Sequence, residues 1–151
     1  MISGLMAAGA VTAATLGGGI ALLWGRRRFL LVTVVGHSMA PTYRDGQRLL
    51  LRRGRYTVGD VVMFAAPDRA GFDVDWLVKR AVALSGDPVP PDIAALTGAR
   101  TVPRGRLVVR SDAAEGLDSR HLGFIDSRDV IGAICWDGAW APRRQRARID
   151  P

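Results

Sequence analysis

The stretch FLLVTVV at residues 29–35, followed by GHSMAPT at residues 36–42, decides the fold of this 151-residue chain. Residues 29–35 are apolar or β-branched, and this pattern predicts a buried β-strand. Gly36 then permits backbone conformations closed to other residues, and Pro41 stiffens the chain after the turn. A serine in such a turn is exposed at the end of a rigid element, where backbone N–H groups can also stabilise an oxyanion. Ser38 is therefore a candidate nucleophile.

The rest of the chain contains short apolar runs that are separated by glycine, proline and aspartate. These runs predict further strands at residues 47–53, 61–64, 76–84, 106–110 and 130–136. Residues 88–104 hold several prolines and no clear period, so they predict a loop with a short helical turn around residues 92–96. Short strands separated by such turn-forming residues indicate a mainly β, compact antiparallel domain at residues 29–137.

The N-terminal segment differs in composition from this domain. Residues 2–24 contain no charged side chain, and three arginines follow at positions 26–28. A helix over residues 2–24 would be ~34 Å long, which is enough to cross a hydrocarbon core of ~30 Å. A cleaved secretory signal is the alternative, but no basic region precedes the apolar run. We therefore expect a single transmembrane helix that anchors the domain.

The net charge of +7 arises from 21 lysine and arginine residues against 14 acidic ones. The basic residues are scattered over strand-like segments and aromatic residues make up only 7% of the chain, so we expect no nucleic-acid partner. The basic tail at residues 138–151 is instead expected to be a solvated end that can contact anionic lipid. The single cysteine, Cys135, excludes an intramolecular disulfide, and its apolar neighbours predict a buried, inert thiol.

Lys79 is the only lysine in the chain, and the other lysine-or-arginine positions are all arginines. In a strand over residues 76–84 it shares a face with Leu77, Ala81 and Ala83. Burial on an apolar face lowers the pKa of a lysine from ~10.4 toward neutrality, which would make the amine a general base. The same pattern also fits a lysine at the edge of the domain whose amine reaches water. The spacing alone does not decide between these two environments.

The two histidines offer an alternative base. His37 adjoins Ser38, but neighbours on an extended chain point to opposite faces, so it is badly placed to accept the serine proton. His121 could complete a Ser-His-Asp set with Asp118 or Asp112. We favour the lysine over both histidines. We expect no metal or cofactor, because no carboxylate cluster accompanies both histidines.

Several ordered blocks resemble the type I signal peptidase family. That family uses a serine-lysine dyad on a mostly β fold shared with the LexA-type self-cleaving repressors, and the likeness extends over about residues 32–134. The blocks are GHSMAPT at 36–42, GDVV at 59–62, KRA at 79–81, GD at 86–87, SD at 111–112 and DSRHLG at 118–123.

The resemblance assigns roles to individual residues. It implies that Ser38 is the nucleophile, that its backbone N–H contributes to the oxyanion hole, and that Lys79 is the base. The residues that it implies for the substrate and oxyanion site are Gly36, Met39 and Pro41. The residues that it implies for structural support are Asp112, Asp118 and Arg120, of which the last two would form an ion pair.

The chain departs from the family pattern around this dyad. Gly36 stands where some members carry a serine whose hydroxyl aids the oxyanion. The family's Gly-Asp-Asn block reads Ser111-Asp112-Ala113, and Gly116 replaces a serine that often hydrogen-bonds the lysine. These departures change the surroundings of the dyad and not the dyad itself. Residues 88–104 also form a short excursion, which implies a minimal version of the fold.

We expect from the resemblance a membrane-anchored serine endopeptidase that cleaves signal or leader segments from precursor proteins. Its catalytic domain would lie outside the cytoplasm, although the arginines at positions 26–28 favour the opposite orientation under the positive-inside rule. One alternative is a maturation protease for a single precursor, with a cytoplasmic catalytic domain. Another is a non-catalytic, membrane-tethered binding module of the same fold.

Overall fold

The computed structural model describes residues 27–67 and 75–138. Within them, seven strands and two short helices follow one another along the chain. The strands are β1 (Phe29–Thr33), β2 (Arg48–Arg53), β3 (Val61–Ala65), β4 (Trp76–Leu84), β5 (Arg106–Arg110), β6 (Ile125–Asp126) and β7 (Val130–Trp136). The helices are α1 (Pro91–Thr97) and α2 (Ser119–Leu122), and a 3-10 turn at Ser127–Asp129 precedes β7.

The predicted anchor at residues 2–24 lies outside the described residues, as does almost all of the predicted tail at 138–151. No helix in the described part of the chain has the length and apolar character needed to cross a membrane.

The strands form one sheet in the order β1-β2-β7-β3-β4-β5-β6, and every neighbouring pair is antiparallel. The prediction of a mainly β, antiparallel domain is therefore confirmed. In the register of β3 and β4, Val62 lies opposite Lys79, so the lysine is placed in the interior of the sheet and not at its edge.

The first strand is less buried than its sequence predicts. It ends at Thr33, and the side chains of Phe29 and Leu31 are exposed while alternate residues are half-buried. The physical reason is its position at the end of the sheet order, where it pairs with β2 alone among the described strands. Val35, which we expected to continue the strand, is 89% exposed.

The remaining strands lie close to the predicted ranges. β4, β5 and β7 have the predicted bounds, β2 begins one residue late and β3 ends one residue late. The helical turn expected around residues 92–96 is a helix of seven residues, which begins at Pro91 and is followed by Gly98 in a left-handed conformation. Helix α2 and the two-residue β6 were missed, because elements of two to four residues leave too short a hydrophobic pattern.

Three apolar clusters fill the domain, and one of them supports the turn that carries Ser38. Its buried members are Val34, Met39, Tyr43, Leu49 and Val61. Cys135 does not belong to a buried cluster: it is half-buried and its thiol donates a hydrogen bond to the Leu50 carbonyl at 3.3 Å. The prediction of a buried thiol is therefore wrong.

Candidate active site

The turn after β1 presents Ser38 half-buried at its surface. Gly36 begins the turn with a φ of 89°, and its backbone N–H donates to Asp45 Oδ1 at 2.7 Å. Met39 is 1% exposed and packs beneath the turn, whereas Pro41 is exposed on it. Among the backbone–backbone hydrogen bonds of the described residues, none has the Ser38 N–H as its donor.

Lys79 is buried on β4, an interior strand of the sheet. The residue is only 2% exposed, so the alternative of a lysine that reaches water at the domain edge is wrong. Burial lowers the pKa of Lys79, because desolvation disfavours the ammonium; Asp118 opposes this effect and Arg120 adds to it. A larger fraction of the amine is consequently neutral near pH 7 than for a hydrated lysine.

The residue that accepts a hydrogen bond from the lysine amine is one that sequence reasoning did not select. Lys79 Nζ donates a hydrogen bond to Ser111 Oγ at 3.0 Å. The resemblance drew attention to the glycine at position 116. It used Ser111 as part of the SD block and as a departure from Gly-Asp-Asn, and it assigned no role to the Ser111 side chain. The pairing of β4 with β5 is the information that would have identified Ser111. The two strands are antiparallel and Arg80 lies opposite Arg110, so Ser111 lies across from Lys79.

The side chains of Ser38 and Ser111 both lie close to Gly116. A Cβ atom built on Gly116 would lie 2.3 Å from Ser111 Oγ and 3.4 Å from Ser38 Cβ. The Ser38 carbonyl also accepts a hydrogen bond from the Ala113 N–H at 3.0 Å. In the described part of the chain, no direct hydrogen bond joins Ser38 Oγ to Lys79 Nζ. Lys79 Nζ instead contacts Ser111, and the side chains of Ser111 and Ser38 both lie close to Gly116.

Asp118 and Arg120 form an ion pair behind this group. The Asp118 side chain is fully buried, and its Oδ2 accepts hydrogen bonds from Arg120 Nη2 at 2.8 Å and from the Ser111 N–H at 3.0 Å. Burial alone would raise the pKa of Asp118, but these hydrogen bonds outweigh it and hold the pKa below the usual value. Asp118 therefore stays ionised, and its charge is balanced by Arg120.

Arg80 forms a second ion pair, with Asp112. Its Nε and Nη2 atoms donate to the two carboxylate oxygens, and its Nη1 donates to the Gly59 carbonyl at 2.8 Å. Burial would raise the pKa of Asp112, but hydrogen bonds from Arg80 and Thr42 hold it below the usual value. Because Thr42 ends the GHSMAPT block, this pair ties the serine turn to the segment after β5.

The histidines do not take part in this arrangement. His37 and His121 are both exposed. The carboxylate of Asp118 binds Arg120 and the Ser111 backbone, and that of Asp112 binds Arg80, so neither carboxylate is directed at a histidine. Among residues 27–67 and 75–138, no three His, Cys, Asp or Glu side chains form a group that could hold a metal ion.

Comparisons with known proteins identify a family and a similar protein. The family model described as signal peptidase, peptidase S26, matches residues 8–97 of the chain. The chain is also similar to a protein named Signal peptidase I V from Bacillus subtilis (strain 168). The two are 25% identical in an alignment 145 residues long, gaps included, which covers 70% of this chain and 83% of that protein.

Proposed function

Because the chain belongs to the signal peptidase family, peptidase S26, we propose that it is a membrane-anchored serine endopeptidase that cleaves signal or leader segments from precursor proteins. In this proposal Ser38 is the nucleophile and Lys79 the general base. The observation that carries it is a fully enclosed lysine, with a lowered pKa, beside the turn that presents a serine. A lysine can act as a base near neutral pH only in such surroundings.

The reaction follows from these two groups. Neutral Lys79 removes the hydroxyl proton of Ser38 as Oγ attacks the carbonyl carbon of the scissile peptide bond. The carbonyl oxygen becomes an oxyanion, which the Ser38 backbone N–H stabilises. When the C–N bond breaks, the Lys79 ammonium returns its proton to the leaving amine. Water then hydrolyses the acyl-enzyme, again with the lysine as base, and this step restores both side chains.

Proton transfer requires Ser38 Oγ to meet Lys79 Nζ directly. We expect a rotation about the Cα–Cβ bond of the half-buried serine to direct its hydroxyl toward the amine, and the closeness of Ser38 Cβ to Gly116, which also adjoins Ser111, supports this expectation. Such catalytic contacts are often long in a free enzyme and shorten when the substrate is bound. We expect an extended peptide to bring about this change as it fills the site.

The membrane anchor is assigned to residues 2–24 on the length of their uncharged run. We propose that the domain at residues 29–137 lies on the extracytoplasmic side, where precursor segments emerge from the membrane. A reporter fused after Pro151 tests this orientation. Activity of a reporter that works only in the cytoplasm would support the alternative of a cytoplasmic maturation protease.

The central test compares wild type with three variants of the full chain on a precursor peptide. We expect Ser38→Ala and Lys79→Met to abolish cleavage, while His121→Ala, the matched control at an exposed position, retains it. Loss of cleavage with His121→Ala alone would favour a histidine base. Wild type that binds the precursor but never cleaves it would favour a non-catalytic binding module.

A further inference from the structure

We infer that Ser111 is a positioning residue for Lys79, and that Gly116 must lack a side chain for Ser111 to hold this position. The inference rests on the proposed function, because it describes how the base of that site is oriented. Its starting observation is the 3.0 Å hydrogen bond from Lys79 Nζ to Ser111 Oγ.

The hydroxyl of Ser111 is mounted on a fixed segment of backbone. Ser111 follows β5 directly, and its own N–H donates to the buried carboxylate of Asp118 at 3.0 Å. The next residue, Asp112, is held by Arg80 through both of its carboxylate oxygens. The backbone of Ser111 is therefore held in place, and its hydroxyl can accept from the amine over a limited region only.

This contact has a chemical consequence for a neutral amine, which has two N–H bonds and one lone pair. When one N–H of Lys79 donates to Ser111, rotation about the terminal C–N bond is restricted. The lone pair can then be directed at the hydroxyl proton of Ser38. A flexible lysine side chain otherwise loses considerable rotamer freedom to reach one orientation. The contact should therefore affect the chemical step more than substrate binding.

Gly116 provides the room that Ser111 occupies. A Cβ atom at this position would lie 2.3 Å from Ser111 Oγ and 2.8 Å from Ser111 Cβ, distances that real Cβ contacts do not reach. The φ of Gly116 is not among the positive values found at other glycines, so its backbone conformation does not require glycine. Space for the Ser111 side chain is the remaining reason for a glycine here.

The first experiment measures kcat and KM for the full chain in detergent micelles with a precursor peptide. We expect Ser111→Ala to lower kcat about tenfold to a hundredfold, with KM nearly unchanged, because the lost hydrogen bond is to an amine that becomes charged as it takes the serine proton. The matched control is Ser127→Ala, a serine in the 3-10 turn before β7, which should leave kcat unchanged. A kcat for Ser111→Ala equal to that of wild type would overturn the inference.

A double-mutant cycle tests the role of Gly116. Gly116→Ala should lower kcat in the wild-type background, because the new Cβ displaces the Ser111 hydroxyl. In a Ser111→Gly background the same change should cause no further loss, since the displaced group is absent. Equal losses in the two backgrounds would show that Gly116 acts independently of Ser111.

A titration separates failure of this inference from failure of the proposed function. Lys79 is the only lysine, so lysine labelled with 13C at Cε gives one side-chain NMR signal from the full chain. Removing a hydroxyl that accepts from the ammonium should lower the pKa of Lys79 further in Ser111→Ala. The lower pKa is expected in Ser111→Ala even if the wild-type protein cleaves nothing, so it tests the inference separately from the proposed function. An unchanged pKa of Lys79 in Ser111→Ala would overturn the inference even if the wild-type protein is an active enzyme.

Discussion

Asp118 Oδ2 accepts a hydrogen bond from the Ser111 backbone N–H at 3.0 Å, so a fully buried carboxylate holds the residue that contacts the Lys79 amine. The other oxygen, Oδ1, accepts from the Arg120 N–H at 2.9 Å and caps the start of α2. One carboxylate thus joins the end of β5 to the following helix. Because the guanidinium of Arg120 balances its charge, Asp118 can lie near the lysine without strongly favouring the ammonium form.

Replacing Asp118 should destabilise the fold. Asp118→Ala removes a helix cap, worth about 1 kcal/mol, and leaves the Ser111 N–H without its acceptor, at a cost of about 1–3 kcal/mol. We expect the free energy of unfolding to fall by about 2–4 kcal/mol in total, as measured by denaturant titration of the full chain in micelles.

The chain contains a matched control for this substitution. Asp126 accepts hydrogen bonds from the N–H and the Nε of Arg128, in the same Asp-x-Arg arrangement, but it lies in a more exposed part of the domain. Asp126→Ala should therefore cost much less stability than Asp118→Ala. Equal losses in the free energy of unfolding would show that burial of the Asp118 carboxylate does not increase its contribution to stability.

The pH dependence of cleavage should report the Lys79 amine. Burial lowers the pKa of Lys79 from 10.5, and the neutral form is the active one, so kcat/KM should rise with pH and reach a plateau below 10.5. Arg120 contributes to the lowering. In Arg120→Gln that contribution is lost and the pKa of Lys79 rises. The rising part of the plot of kcat/KM against pH, called the limb below, should then move to higher pH, and kcat/KM at pH 7 should fall.

The control for this shift is Arg128→Gln, which removes an exposed arginine of the other Asp-x-Arg pair. It should leave the limb where it is in wild type. A limb that moves to lower pH in Arg120→Gln, or moves equally in both variants, would contradict the electrostatic explanation.

Much of the sheet could be predicted from sequence because its longer strands have a clear apolar pattern with strong breakers. The pattern at residues 76–84 matches β4 and groups Lys79 with Ala81 and Ala83, which are buried, but the spacing alone did not decide whether Lys79 itself is buried. Burial of β1 could not be predicted in the same way, because an apolar run does not reveal whether its strand has one neighbour or two. Ser111 was missed for a related reason: its contact with Lys79 depends on pairing between strands that are distant in sequence.

Arg80 should be needed for an active geometry, since it binds both oxygens of Asp112 and lies 3.5 Å from Thr42 Oγ1 in the serine turn. A lysine cannot reproduce the planar, two-pronged contact of a guanidinium. We expect Arg80→Lys to lower kcat about tenfold through displacement of the turn, measured on the same precursor peptide. Arg110→Lys, at the exposed pair with Asp92, is the control and should have little effect; equal losses would contradict a specific role for Arg80.

Gly36 lies at a position where some members of the signal peptidase family carry a serine. The φ of Gly36 is 89°, a conformation that side-chain-bearing residues rarely adopt, although a Cβ there would meet nothing within 4 Å. Gly36→Ser should therefore destabilise the domain by about 1–3 kcal/mol through backbone strain. It should not raise kcat, because the turn must change before the new hydroxyl can reach an oxyanion.

Gly36→Ala is the control that separates backbone strain from the effect of the hydroxyl. Both variants should lose the same stability in denaturant titration, since the strain arises from the Cβ atom that they share. Their kcat values should also be similar, which would leave the Ser38 backbone N–H as the donor on which the oxyanion depends. A Gly36→Ser variant that cleaves faster than wild type at unchanged stability would show that the turn accepts a second donor, and would contradict this prediction.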